Sequence, residues 1–284
     1  NIAAHLIRTM ALAQFTGKSG KSLMIYTDTN SYLLIGTGDK LGAGTEAETL
    51  GGKLFSALNG TASKLGWMPD HKLAPTILAD VLLGANLASY HFDRYFTEKE
   101  RDDVTVRLSV GGEALNEEVS VHQDRQALAN GVFFARDLVF EPANKLYPVE
   151  FANRCEALTS LGLEVEVLDE DAMEKLDMGA LLGVGQGSRR ESRMVVMNWR
   201  GGGDEPPFAI VGKGVTFDTG GISLKPPKGM EDMKWDMGGA AAVTGAMCAI
   251  AGRKLKKNIV GVIGLVENMP DGNAQRPGDV VTAM

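Results

Sequence analysis

The chain has 284 residues, 44% of them hydrophobic, enough for two domains each with its own core. Aspartate and glutamate outnumber lysine and arginine by 36 to 29, and the net charge of −7 leaves no basic field that would attract nucleic acid. No apolar run approaches the ~20 residues that cross a bilayer, and the two cysteines, Cys155 and Cys248, read as reduced core thiols of a cytoplasmic protein.

The opening stretch, NIAAHLIRTMALAQFTG, lacks the charged, apolar and small-residue zones of a signal peptide. It has no initiator methionine and reads as mid-helix, so a clipped N-terminus is expected. Ser22–Thr27 and Ser31–Gly36 read as strands joined by a TDTN turn. Residues Glu46 to Leu65 have helical spacing, with Leu50, Leu54 and Leu58 at four-residue steps. Pro75–Tyr95 is a second apolar helix and Val104–Val110 alternates like a strand. These elements predict an N-terminal α/β domain over residues 1–115 with no cluster of potential ligands. A linker helix over 116–140 follows, with Pro142 and Pro148 marking its exit.

A second β/α series fills residues 141–284. Phe151–Leu161 reads as a helix, Glu164–Leu168 as a strand and Asp171–Leu176 as a short helix. Met194–Trp199 and Phe208–Val211 read as strands on either side of the loop RGGGDEPP. Gly238–Gly252 reads as a helix of small residues, and Ile259–Val266 as a strand. Strands alternating with helices predict an α/β fold with a mostly parallel sheet flanked by helices on both faces.

Several motifs fail on inspection. Gly20-Lys21-Ser22 resembles the end of a phosphate loop, but Phe15 stands where that loop needs a glycine, and the tripeptide precedes its strand. The run GVGQGS places Ser188 where a dinucleotide fingerprint needs its third glycine, and it follows a helix. No G-x-S-x-G elbow exists. His5, His71, His91 and His122 lack metal-ligand spacing, so oxygen ligands would dominate any metal site.

The chemistry concentrates in GKGVTFDTGGISLKPPKGMEDMKWDMGG, residues 212–239. Lys213, Asp218, Lys225 and Asp236 sit in what read as glycine-rich loops behind the apolar strand, where open α/β sheets place their sites. Singly, each has a local reading: Asp236 as a helix N-cap, Asp218 as the closer of an Asx turn, both lysines as exposed loop residues. Together they suit a site that handles charge. Asp218 and Asp236 are hard oxygen ligands for Mg, Mn or Zn. A lysine ligates only as the neutral amine, and moving its pKa from about 10.4 to near 7 costs about 5 kcal/mol, which calls for nearby dications. The other lysine could remain charged and stabilise an oxyanion.

The runs GKGVTFDTGGISLKP, MKWDMGGAAAV and VGVIGLVENMPDGNAQRPGDVVT resemble the leucine aminopeptidase family of cytosolic dinuclear-metal exopeptidases. EPANKLYPVEFA, VEVLDEDAMEKLDMGALLGVGQGS and SYHFDRY are also similar to family segments, so the resemblance covers most of the chain. It implies a small N-terminal α/β domain, a C-terminal catalytic domain and assembly as a hexamer. Two divalent metal ions are implied, Mn or Zn, with Mg or Co also compatible. Peptides are the implied substrates, with leucine-like N-terminal residues preferred. By motif, Lys213 matches a metal-ligating lysine, Asp218 the carboxylate shared by both metals, and Asp236 a ligand of the same metal as Lys213. Lys225 matches the catalytic lysine, and Met233 a side chain lining the pocket for the substrate's N-terminal residue. The family continues beyond a segment like GDVVTAM to an N-T-D-A-E-G-R motif with further ligands and a catalytic arginine, whereas this chain stops at Met284. The expectation is that these 284 residues alone are inactive, or serve only as an assembly or binding module. Glu267, Asp271 and Asp279 are read as loop and turn residues.

Overall fold

A computed structural model describes residues 2–28, 31–58, 65–66, 74–98, 108–109 and 115–283. The chain forms two compact units, Asn1–Gln126 and Ala127–Met284.

The N-terminal unit opens with helix α1 (Ile2–Leu12), then strands β1 (Ser22–Tyr26) and β2 (Ser31–Ile35) in an antiparallel hairpin. Helix α2 (Thr45–Leu58) carries Glu46 and Glu48 in its first turn, where carboxylates complement the helix dipole. Helix α3 (Pro75–Ser89) starts on a proline, which costs no hydrogen bond there. Of the helix expected over 46–65, residues 59–64 lie outside the described residues, and Leu65–Gly66 is instead strand β3. It pairs in parallel with β4 (Leu108–Ser109); the rest of the strand expected over 104–110, like His71, lies outside the described residues.

Helices α2 and α3 pack backbone to backbone. A Cβ added at Gly51 would stand 1.8 Å from the Val81 carbonyl oxygen, and one at Gly84 1.8 Å from that of Glu48. Leu41, Ala47, Leu50 and Val81 form the small core around this crossing. Asp80 of α3 is buried beside it, accepting hydrogen bonds from Gly44 N at 2.7 Å and Arg125 Nε at 2.6 Å. Arg125 belongs to α4 (Leu115–Phe140), the helix within which the two units divide.

The C-terminal unit continues through α5 (Pro148–Glu156) and a 3-10 turn (Ala157–Leu161) to β5 (Glu164–Leu168). Helices α6 (Glu170–Lys175) and α7 (Gly179–Gly185) lead to β6 (Arg193–Arg200) and β7 (Phe208–Asp218). A second 3-10 turn (Met230–Trp235), α8 (Gly238–Gly252) and β8 (Asn258–Asn268) complete the order. The sheet is four-stranded in the order β5-β6-β8-β7.

This sheet corrects the expectation of a mostly parallel one, because only β7 and β8 run parallel. They are joined by α8, a crossover long enough to return the chain to the same end. Between β6 and β7 there is only the loop 201–207, too short for such a crossover, so the chain reverses; β5 and β6 are also antiparallel. Nor are both faces covered alike. Phe151, Cys155, Ala240 and Met247 of α5 and α8 join Val195, Met197, Ile263 and Leu265 in one core. On the opposite face the row Val196–Val262–Val211 crosses three strands, and Val211 is 77% exposed. There α7 covers one end of the sheet: an added Cβ at Gly264 would lie 2.9 Å from Leu181 Cδ1, and one at Gly185 3.6 Å from Val266 Cβ.

Both cysteines are free and buried, and burial pushes the Cys155 thiol up to about 12. Among the described residues no helix is long and apolar enough to cross a membrane.

Candidate active site

Strand β7 runs seven residues past the expected end at Val211, so Lys213 and Asp218 are strand residues and not loop residues. Glycine ordinarily weakens a strand, which is why GKG reads as loop. Here it admits α8: a Cβ at Gly212 would stand 2.6 Å from the Gly239 carbonyl oxygen and 2.8 Å from Ala240 Cα. Strand alternation then turns Lys213, between Gly212 and Gly214, away from α8.

The end of β7 is bulged. Val215 pairs with Val266 and Asp218 with Asn268, so three steps on β7 match two on β8. The extra residue breaks the alternation and re-aims the side chains after it, as bulges near sites do. Gly220 and Gly221 then take φ of 89° and 64°, conformations that cost other residues dearly. The resulting tight turn brings the Lys225 backbone N to the Thr219 carbonyl at 2.9 Å.

Two lysine–aspartate pairs result. Lys225 Nζ donates to Asp218 Oδ2 at 2.5 Å, to the Asp218 carbonyl at 3.1 Å and to Met233 Sδ at 3.2 Å. Met233 reaches it from the 3-10 turn Met230–Trp235, and Asp236 comes directly after that turn. Lys213 Nζ lies 3.0 Å from Asp236 Oδ2. That oxygen is buried yet has no hydrogen-bond partner among the described residues: the ammonium compensates its charge but lies off the hydrogen-bonding direction. Asp236 is not the N-cap of α8; that position is Met237, which makes no side-chain cap.

Asp218 is the most heavily bonded member. Its Oδ1 accepts from Gly220 N at 2.9 Å, the Asx-turn bond that its local sequence suggests, and from Asn268 Nδ2 at 2.8 Å. Desolvation pushes its pKa up, but the bonds from Lys225, Gly220 and Asn268 outweigh that and leave it below the ordinary aspartate value. The site thus offers two carboxylates, two amines and a thioether within one strand end and the turns after it.

Asn268 has no counterpart among the residues that the sequence singles out. It is the last residue of β8, and only the parallel register with β7 puts it opposite Asp218. Glu267, expected in a loop, is also on β8 and accepts a hydrogen bond from Ser188 Oγ at 2.5 Å. Asp271 and Asp279 do close turns, accepting from the backbone N of Asn273 and Arg276.

Comparison with known proteins places the chain in a family. Residues 133–284 match the catalytic domain of the cytosol aminopeptidase family, and residues 1–99 match that family's N-terminal domain. The chain belongs to the cytosol aminopeptidase family. It is 49% identical over 296 aligned positions to a probable cytosol aminopeptidase of Brucella melitensis, covering 99% of this chain and 61% of that one. A probable cytosol aminopeptidase of Caulobacter vibrioides is likewise 49% identical, with 98% and 58% covered. Among solved structures, the bottromycin maturation enzyme BotP in complex with Mn superposes with a TM-score of 0.79 at 32% identity, covering 96% of this chain and 59% of that one. A point mutant of tomato leucine aminopeptidase gives 0.82 at 27% identity, with 98% and 56% covered. The chain spans about 60% of the length of the curated relatives it matches. Among the described residues of this family member no three His, Cys, Asp or Glu side chains gather, so the donor set within them is lysine plus aspartate.

Proposed function

We propose that the protein is a metal-dependent aminopeptidase that hydrolyses the N-terminal peptide bond of peptides, with leucine-like residues preferred. The observation that carries this reading is Asp236 Oδ2, a buried carboxylate oxygen with no hydrogen bond, facing the Lys213 amine in a chain of this family. A buried oxygen left open is costly unless something binds it, and a divalent cation suits a carboxylate donor. Lys213, Asp218 and Asp236 would hold the metal, with Mn or Zn the candidates. The Mn complex of BotP supports Mn.

When bound, such metals supply Lewis acidity that polarises a carbonyl and lowers the pKa of water. The chain's own residues carry the rest. Lys225 must leave Asp218 Oδ2 for the carbonyl oxygen of the scissile bond, where its charge offsets the negative charge of the tetrahedral centre. Met233 touches the Lys225 ammonium through sulfur and offers an adaptable apolar wall to the substrate's first side chain. The protein works in the cytoplasm as a homo-oligomer, a hexamer in this reading.

Hydrolysis of leucine p-nitroanilide by the whole protein, of which these residues span about 60% by the length of the relatives, measured beside its N-acetylated form, tests the assignment. Mn-stimulated release from the free amine alone is expected. Equal cleavage of the acetylated compound would mean an endopeptidase or esterase site instead.

A further inference from the structure

We propose that Asn268 is a positioning residue that fixes the Asp218 carboxylate so that its Oδ2 is the oxygen presented to metal. The inference rests on the reading of Asp218 as a metal ligand and adds a residue to it.

The two oxygens of Asp218 are held differently. Oδ1 takes two neutral N–H donors, Gly220 N at 2.9 Å and Asn268 Nδ2 at 2.8 Å. Among the described residues Oδ2 takes only the Lys225 ammonium. A cation arriving at the carboxylate repels the like-charged ammonium and not the two neutral donors, so Oδ2 is the oxygen that opens. The amide orientation is fixed by chemistry: a carboxylate only accepts, so the Asn268 nitrogen must face it.

Asn268 is itself held in place. Its carbonyl accepts from Thr219 N at 3.0 Å and from Thr219 Oγ1 at 2.8 Å, which clamps the end of β8 to the turn after Asp218. Its neighbour Glu267 is tied to Ser188, and the loop after β8 is tied by Gln186 Nε2 to the Asn273 carbonyl at 2.7 Å. Gly221 makes room for the amide: a Cβ there would stand 2.7 Å from Asn268 Oδ1. Outer hydrogen bonds of this kind orient a ligand and are worth about 10- to 100-fold in metal affinity.

The test is calorimetric titration of the chelator-stripped protein with MnCl2, alongside Asn268→Ala, the near-isosteric Asn268→Leu and Asp218→Ala. Both Asn268 variants should fold and bind Mn about 10- to 100-fold more weakly. A purely structural role would leave the affinity of the folded protein unchanged. Parent affinity in either folded Asn268 variant overturns the proposal, and so does failure of both to fold. If the parent binds no Mn, or Asp218→Ala binds as the parent does, the metal-ligand reading fails instead.

Discussion

Each unit of the chain takes a carboxylate oxygen out of solvent, and the two are treated differently. In the N-terminal unit Asp80 has both oxygens engaged, one by Gly44 N and the other by Arg125. Its partners come from the start of α2 and from α4, so the cluster ties helices together and has no capacity left. In the C-terminal unit Asp236 has a buried oxygen with a counter-charge and no hydrogen bond, and Asp218 is held partly by a lysine free to leave. Asp80 is closed by a guanidinium and a backbone N–H, whereas among the described residues Asp236 keeps one buried oxygen without a hydrogen bond, and the proposed metal site rests on that difference.

The largest effect expected from this contrast is on catalysis. In the whole protein, Lys225→Ala should lower turnover of leucine p-nitroanilide by about 10²- to 10³-fold, the scale of losing one transition-state donor, with the fold retained. Near-normal turnover would remove Lys225 from the chemistry. On the structural side, Arg125→Ala leaves Asp80 buried and partly uncompensated, and should cost about 3–5 kcal/mol in urea unfolding. A loss under about 1 kcal/mol would show that Asp80 is no tighter than a surface pair. Gly51→Ala should destabilise by about 1–3 kcal/mol despite alanine's better helix propensity, because its methyl meets the Val81 carbonyl. A gain in stability would mean that α2 and α3 can part cheaply.

The smallest effect sharpens the comparison through pH. The folded pKa of Asp218 is depressed, so its contribution is present above the unfolded value of about 3.9 and is lost as pH falls through the lower folded one. Unfolding of the protein and of Asp218→Asn, monitored from neutral pH downward, should therefore converge in acid. A constant gap across that range would place the stabilisation elsewhere.

The sequence made most elements and the charged residues of the candidate site legible, because apolar periodicity and motif spacing are local properties. It misplaced Lys213 and Asp218 into loops, since glycines that admit α8 look the same as glycines that break a strand. It misjudged the sheet because helix–strand alternation reads as parallel throughout, although the loop 201–207 between β6 and β7 is too short for a crossover. Asn268 escaped notice for a third reason: it meets Asp218 only through the register of β7 on β8, bulge included, and pairing partners 50 residues apart leave no local mark. Asp236 had a plausible local reading as a helix cap, which the N-cap of α8 at Met237 displaced.

The central claim is that Lys213, Asp218 and Asp236 hold divalent metal. Crystals grown with MnCl2 and measured at the manganese absorption edge test it most directly. The account predicts anomalous peaks within coordination distance of Asp236 Oδ2 and Asp218 Oδ2, with Lys225 moved off Asp218. Manganese bound elsewhere, with both lysine–aspartate pairs intact, would contradict it.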